Sequence, residues 1–442
     1  MAELERIYGS EVLSWFGTEY ATIQTENFDF EQLGGSQKAG SVITEFDARS
    51  WRDVSQAIVD YYFKEWKTVE HKITLGISVY GWNIASRDIQ KTGIILKKKL
   101  REHNVSLRLI PNEQSSLSTA TSHHNKLGLS PNKVELLVVH DKGHVMIAES
   151  IGAQNITALA ARDQARPHTD AFVGMLPPKL ARMMVNMAIG NVGTIQRAFI
   201  DNHQTQKALP SRQSSTKIEV TGGRARLMGT MGGDGSEALN SIPAAKPSEE
   251  DVSSVADNNT SNLIVLDPFC GTGVVLQEAL LLGYDAYGSD LSQKMVDYST
   301  KNLDWLSEKT HLTGSYTVEL GDAMTHQWLP PIDAIAAEGY LGQPFSAPPS
   351  TAKLVEVRGN CDHIISSFLS NLALQIAPGT PICLAVPAWN DGHDNFSHLP
   401  LVDKLGDYGF TRIKLQHVPT SALLYYRPGQ VVARELLIMQ KA

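Results

Sequence analysis

Residues Asn262–Gly283 read NLIVLDPFCGTGVVLQEALLLG. Leu263 to Leu266 form a short continuous apolar run, the composition of a strand buried on both faces of a parallel sheet. Val274 to Leu282 continue as an apolar helix, so the segment reads strand, Gly-rich turn, helix. Gly271 and Gly273 fall in the turn, where a missing Cβ lets the backbone approach a ligand closely. Many nucleotide-binding folds use such a turn, so the acids around it decide what it holds.

Asp267 stands at the strand's end, where a carboxylate suits a cationic amino group and repels a pyrophosphate. A second strand (DAYGSD) ends in Asp290, an acid placed to accept both hydroxyls of a ribose. A third, Tyr316–Leu320, is followed by Gly321-Asp322, and Asp322 suits the amino group of adenine. Each acid alone reads equally well as an N-cap or turn residue. The spaced trio beside the DPFCGTG loop points instead to a nucleoside carrying positive charge, a sulfonium cofactor.

LDPFCGTGVVLQEALLLGYDAYGSDL, Leu266 to Leu291, resembles the cofactor motif of amino-group methyltransferases. In particular it is similar to the THUMP-containing tRNA guanine-N2 methyltransferases of archaea and eukaryotes, which modify guanosine 10 of tRNA. A second stretch, ARDQARPHTDAFVGMLPPKLARMMVNMA (Ala161–Ala188), resembles the segment that covers the methionine end of the cofactor in that family. Pro177-Pro178 suit a helix start, and Leu180, Met183, Met184 and Met187 supply an apolar stripe. The resemblance implies S-adenosyl-L-methionine as cofactor, held by Asp267, Phe269, Gly271, Gly273, Asp290, Leu291, Asp322 and Ala323, with Met175 and Leu176 over its methionine end. The implied fold is α/β: a Rossmann-like class I methyltransferase domain with a seven-stranded sheet, preceded by an α+β adaptor and a THUMP-like RNA-binding domain. Its divisions are an adaptor at 1–70, a THUMP-like domain at 71–158, a segment 159–204 belonging with the catalytic domain, a linker or disordered insertion at 205–262, and the methyltransferase domain at 263–442. The insertion is rich in Ser, Gly, Ala, Asp and Asn and has no sustained apolar period.

Amino methyltransferases place an Asp/Asn-Pro-Pro-Tyr/Phe tetrapeptide after the fourth strand. Here Asp333 to Gly342 read DAIAAEGYLG, without either proline. Tyr340 takes the aromatic position that stacks on a flipped base. Glu338 takes the role of acceptor for the exocyclic amine if the loop is one residue shorter; aligned on Tyr340, Ala337 falls there instead. ICLAVPAW and TRIKLQ read as later strands, and Pro428-Gly429 as the turn of a terminal antiparallel hairpin. Arg427 and Arg434 read as surface charges before phosphate contacts.

Nearer the start, a helix is expected over Met1–Phe16, strands at Ala21–Phe28 and Gly40–Phe46, and an amphipathic helix over Asp53–Trp66. From Lys72 strands alternate with helices, the mark of a small α/β unit. The net charge of −8 conceals an uneven distribution: residues 71–190 carry 15 basic and 8 acidic side chains, residues 1–70 carry 6 and 13. Within the basic middle, Lys97, Lys98, Arg101, Arg108 and Lys126 are the expected RNA contacts. A helix end favours cations in any case, so capping alone also accounts for the lysines.

The partner these readings imply is RNA, with tRNA foremost. A DNA amino methyltransferase and a non-catalytic RNA-binding protein retaining the fold remain alternatives. No run of eighteen apolar residues suggests a membrane span, and the acidic opening MAELERIYGS argues against a signal peptide. Cys270, Cys361 and Cys383 lack the spacing of a disulfide framework or a metal site, so a reducing cytoplasm and no metal are expected.

Overall fold

Ser50 caps the helix Trp51–Trp66 by accepting the Asp53 N–H, and Val54, Ile58 and Tyr62 recur every four residues on its buried face. Such local signals set the elements throughout a computed structural model that describes residues 1–17, 19–170, 176–191, 262–390, 393 and 395–442. Met175 and the stretch 205–261 lie outside the described residues.

In chain order the first elements are α1 (Ala2–Tyr8), β1 (Leu13–Phe16), β2 (Tyr20–Ile23), β3 (Lys38–Asp47), α2 (Trp51–Trp66), β4 (Ile73–Tyr80), α3 (Ser86–Arg101) and β5 (Leu107–Leu109). There follow α4 (Thr119–His124), β6 (Lys133–Asp141), β7 (His144–Ala153), α5 (Ile156–Gln164) and α6 (Pro178–Ile189). The helix expected over Met1–Phe16 stops at Tyr8 because Gly9 takes φ 92°, a left-handed setting that breaks the hydrogen-bond ladder. Its second half is instead β1, paired antiparallel with β2, which is shorter than the strand expected at Ala21–Phe28.

One layer is a five-stranded sheet of order β3-β7-β6-β4-β5. Helices α2 and α3 bury Val54, Ile58, Tyr62, Ile89, Leu96 and Leu100 against its Ile73, Leu75, Ile77, Leu136 and Val138. The stretch read as an adaptor thus contributes β3 and α2 to this layer.

The remaining elements are β8 (Ile264–Asp267), α7 (Val274–Leu281), β9 (Asp285–Asp290), α8 (Gln293–Lys309), β10 (Tyr316–Leu320), β11 (Ala334–Glu338), α9 (Thr351–Ala373), β12 (Pro381–Asn390), β13 (Phe396–Ser397), β14 (Phe410–Arg412), β15 (Leu424–Tyr425) and β16 (Val432–Lys441). Among the described residues they form a nine-stranded sheet: seven strands in the order β10-β9-β8-β11-β12-β16-β14, with β13 beside β12 and β15 beside β16. The first five are parallel and β16 runs antiparallel to β12. Helices α6 and α7 cover one face and α9 the other, the doubly wound arrangement. After β10 the chain returns past β8 to lay down β11, so strand order reverses there. In open α/β sheets that reversal leaves a crevice outside the carboxyl ends of the strands.

Helix α1 ties the chain's start to this second layer. Glu3 accepts the N–H groups of Gly34 and Gly35 and the amide of Asn186 on α6. Arg6 donates to the carbonyls of Met187 and Ala188. Glu278 of α7 is fully buried and is held by Arg162 of α5 at 2.6 Å and Arg182 of α6 at 2.7 Å. Its two arginines satisfy a charge that would otherwise be costly to desolvate.

Candidate functional site

The crevice at the strand reversal is lined with acids. Asp267, the last residue of β8, is 2% exposed, and its Oδ1 accepts the Phe269 N–H at 3.1 Å. Burial pushes its carboxyl well above the ordinary aspartate range; the Phe269 N–H opposes the rise, while the charges of Asp290 and Glu338 add to it. Asp290, Asp267 and Glu338 end the neighbouring parallel strands β9, β8 and β11, so the three acids stand along one edge of the sheet. Asp290, at the end of β9, accepts Gly271 N–H at 3.0 Å and Ser292 N–H at 2.9 Å, one on each oxygen. Burial raises its carboxyl too, and those two N–H groups work against it. Each oxygen keeps a second lone pair for a ligand hydroxyl.

The glycine turn is held as firmly as the acids. Gly271 and Gly273 take φ 51° and 82°, in the left-handed region where glycine is strongly favoured. At Gly273 a Cβ would lie 2.4 Å from Ser299 Oγ, so the missing side chain admits α8. Buried Asn302 of α8 then joins two segments, donating to the carbonyls of Thr272 and His168 at 2.9 Å each and accepting the His168 N–H at 2.9 Å. The His168 ring stacks on Tyr298 with centroids 4.4 Å apart. The stretch after α5 is thereby clamped to the turn. Neither Asn302 nor His168 was singled out from sequence; the interior position of an amide in an amphipathic helix was the available signal.

Around this centre, Leu291 is 72% exposed beside Asp290, while Ala323 is buried. Asp322 uses Oδ1 to accept Met324 N–H at 2.9 Å, a turn role that engages one of its two oxygens. Phe269 meets Phe368 edge-on at 5.0 Å. Leu176, expected over the ligand, is buried in the core against α6 and α7.

Glu338 ends β11, and Arg434 of β16 donates through Nε to its Oε1. Burial raises the Glu338 carboxyl, and Arg434 opposes that rise by charge and by hydrogen bond. Arg434 is 7% exposed, so its reading as a surface charge is corrected: the strand face it occupies is an interior one. Arg427 is exposed in the turn before β16. Tyr340, 41% exposed, lines a cleft with Gln343, Lys353, Glu356, Val357 and Asn360.

On the other layer, Lys97, Lys98 and Arg101 stand exposed on α3, as do Arg108 on β5 and Lys126 after α4. Arg108 Nη2 reaches Asn125 Oδ1 at 3.4 Å, which brings β5 beside the His123–Lys126 run.

Of these three acids Glu338 is paired with a guanidinium, Arg434, and among the described residues no lysine or arginine pairs with either aspartate. Fold and site together define a doubly wound α/β protein whose crevice suits a cationic ligand with hydroxyls, and disfavours a polyphosphate.

No family model matches the chain. A tRNA (guanine(10)-N2)-dimethyltransferase of Methanothermobacter thermautotrophicus is 30% identical over 127 residues, 29% of this chain and 34% of that protein. The protein of the same name from Pyrococcus abyssi is 42% identical over 59 residues, 13% of this chain and 16% of the relative. The matched stretch thus spans about a third or less of either relative. Among solved structures, TrmN from Thermus thermophilus is 15% identical with a TM-score of 0.44, covering 96% of this chain and 89% of that one.

Proposed function

We propose that the chain is an S-adenosylmethionine-dependent methyltransferase acting on an exocyclic amine of a nucleobase, guanine N2 in tRNA. The observation that carries the cofactor is that Asp290, Asp267 and Glu338 end three neighbouring parallel strands, with no lysine or arginine paired to either aspartate among the described residues. The names of the two archaeal relatives support the substrate. When bound, the cofactor supplies an electrophilic methyl group on a positively charged sulfur. Asp267 would hold its ammonium group and Asp290 its ribose hydroxyls, with Leu291 and Ala323 flanking the adenine and Asp322 accepting from its amine.

Guanine N2 is a poor nucleophile because its lone pair is delocalised into the ring. In this reading Glu338 accepts an N–H of the amine and takes that proton as the nitrogen acquires the methyl. Tyr340, exposed beside the cleft of Gln343 and Asn360, stacks on the flipped base and holds the nitrogen in line. Within the five-stranded layer, residues 71–158 serve as the THUMP-like module. Its Lys97, Lys98, Arg101, Arg108 and Lys126 meet phosphate. Residues 1–70 act as the adaptor, 159–204 join the catalytic domain at 263–442, and three unpaired buried thiols suit a reducing cytoplasm.

The test is to incubate the full chain with labelled S-adenosylmethionine and either total tRNA or DNA, then identify the labelled nucleoside. N2-methylated guanosine from tRNA is expected. Label in DNA alone would overturn the substrate. Cofactor binding without transfer to either polymer would overturn the activity.

A further inference from the structure

Glu338 and Arg434 meet across an intervening strand. The register sets Glu338 opposite Ala385 of β12 and Arg434 opposite Pro387. Residues 385 and 387 share one face of that strand, so both charged side chains project from the same side of the sheet. Ala385 and Pro387 carry no long side chain to obstruct the bridge. In a strand otherwise apolar from Leu436 to Met439, a buried guanidinium is tolerated only when paired. Here its Nε engages one carboxylate oxygen, Oε1, of Glu338.

The groups that face this pair are few. From β8 comes Asp267, and beyond it Asp290 of β9, both acids. From β15 Tyr425 stands opposite Arg434. Glu435 turns to the other face, where His398 lies 2.7 Å and Arg412 3.9 Å from it. Among the described residues Arg434 is the cation paired with Glu338.

Resting on the methyltransferase reading, we propose that Arg434 is a positioning residue: it grips Glu338 through Oε1, fixes its orientation, and leaves Oε2 for the amine of the base. In sequences with a proline pair after the fourth strand, the rigid loop can aim the acceptor. This loop has Gly339 where a stiff residue would help, and the grip from β16 takes over that task. Arg434 also opposes the effect of burial on Glu338, so without it the carboxyl holds its proton to higher pH.

The test compares Arg434→Gln and Arg434→Lys in the full chain, measuring methyl transfer to tRNA from about pH 5 to 9. For Arg434→Gln the acidic limb of kcat/KM should move up by about one pH unit, with kcat at neutrality down at least about tenfold and KM for the cofactor nearly unchanged. Arg434→Lys should restore much of the limb's position. An activity that falls equally at every pH, or an unmoved limb, would overturn the proposal. If the wild-type chain transfers no methyl group, the activity reading fails but the grip is still measurable by thermal unfolding against pH. Arg434→Gln should then lose stability relative to wild type as pH rises towards neutrality, because the folded chain binds the extra proton. The double variant Arg434→Gln with Glu338→Gln should not, and equal slopes in both would refute the pairing. Should Arg434→Gln fail to fold, the lysine and double variants carry the same comparison.

Discussion

Glu135 in one sheet and the pair Asp267 and Asp290 in the other treat buried charge in opposite ways. In the five-stranded layer Lys38 of β3 reaches Glu135 of β6, and Ser78 Oγ donates to the same carboxylate oxygen at 2.6 Å. Glu135 is fully buried, the Lys38 side chain is 8% exposed, and the lysine also donates to the Leu117 carbonyl at 2.9 Å. This charge is answered inside the chain. In the nine-stranded sheet the acids sit at strand ends, and Asp267 and Asp290 have backbone N–H groups but no cationic side chain. Burial raises both carboxyls, so the site stores unfavourable electrostatics that a cation can relieve. A neutralised interior charge holds a fold together, whereas an unanswered one at a crevice is set for a ligand.

The largest effect should come from breaking the answered pair. Lys38→Met leaves Glu135 buried without its cation and should cost about 3–5 kcal/mol in urea unfolding, with affinity for S-adenosylhomocysteine unchanged. A large loss of affinity would erase the distinction between the sheets. Next, Asp290→Ala should weaken S-adenosylmethionine binding by about 10–100-fold in calorimetry, since it removes charge-assisted hydrogen bonds worth about 1.5–3 kcal/mol each.

The pH dependence sharpens the contrast further. Asp267 binds its proton more tightly folded than unfolded, so the ligand-free chain should lose stability as pH rises from the ordinary carboxylate range through the raised value. The slope is at most about 1.4 kcal/mol per pH unit. Cofactor affinity should rise with pH through the same window, because the cation needs the carboxylate. Asp267→Asn should flatten both curves in melting and titration experiments. Smallest of all, Lys97→Ala or Arg108→Ala should each raise KM for tRNA by about two- to threefold and reduce the salt slope by about 0.7–0.9, leaving kcat intact.

Legibility followed the range of the interaction. Asp267, the glycines and Asp290 were readable because strand, turn and helix follow one another within thirty residues, each with its own period. The break at Gly9 was not, because the apolar pattern runs on through Leu13 and Phe16 and only the backbone setting of Gly9 ends the helix. The room that Gly273 leaves for Ser299 of another helix was not legible, because that contact is made between helices. Arg434 resisted reading most: the hairpin after Pro428-Gly429 was legible, yet the face Arg434 takes was set by pairing with β12.

By itself the sequence determined the strand-turn-helix with its three spaced acids and the basic stretch between acidic ends, because propensity, period and composition act locally. Which of those charges are answered was decided only by tertiary structure. Glu338 and Arg434 stand 96 residues apart, and their meeting depends on the order and register of β11, β12 and β16. The energy of a charge depends on its burial and its partner, and both belong to the folded chain.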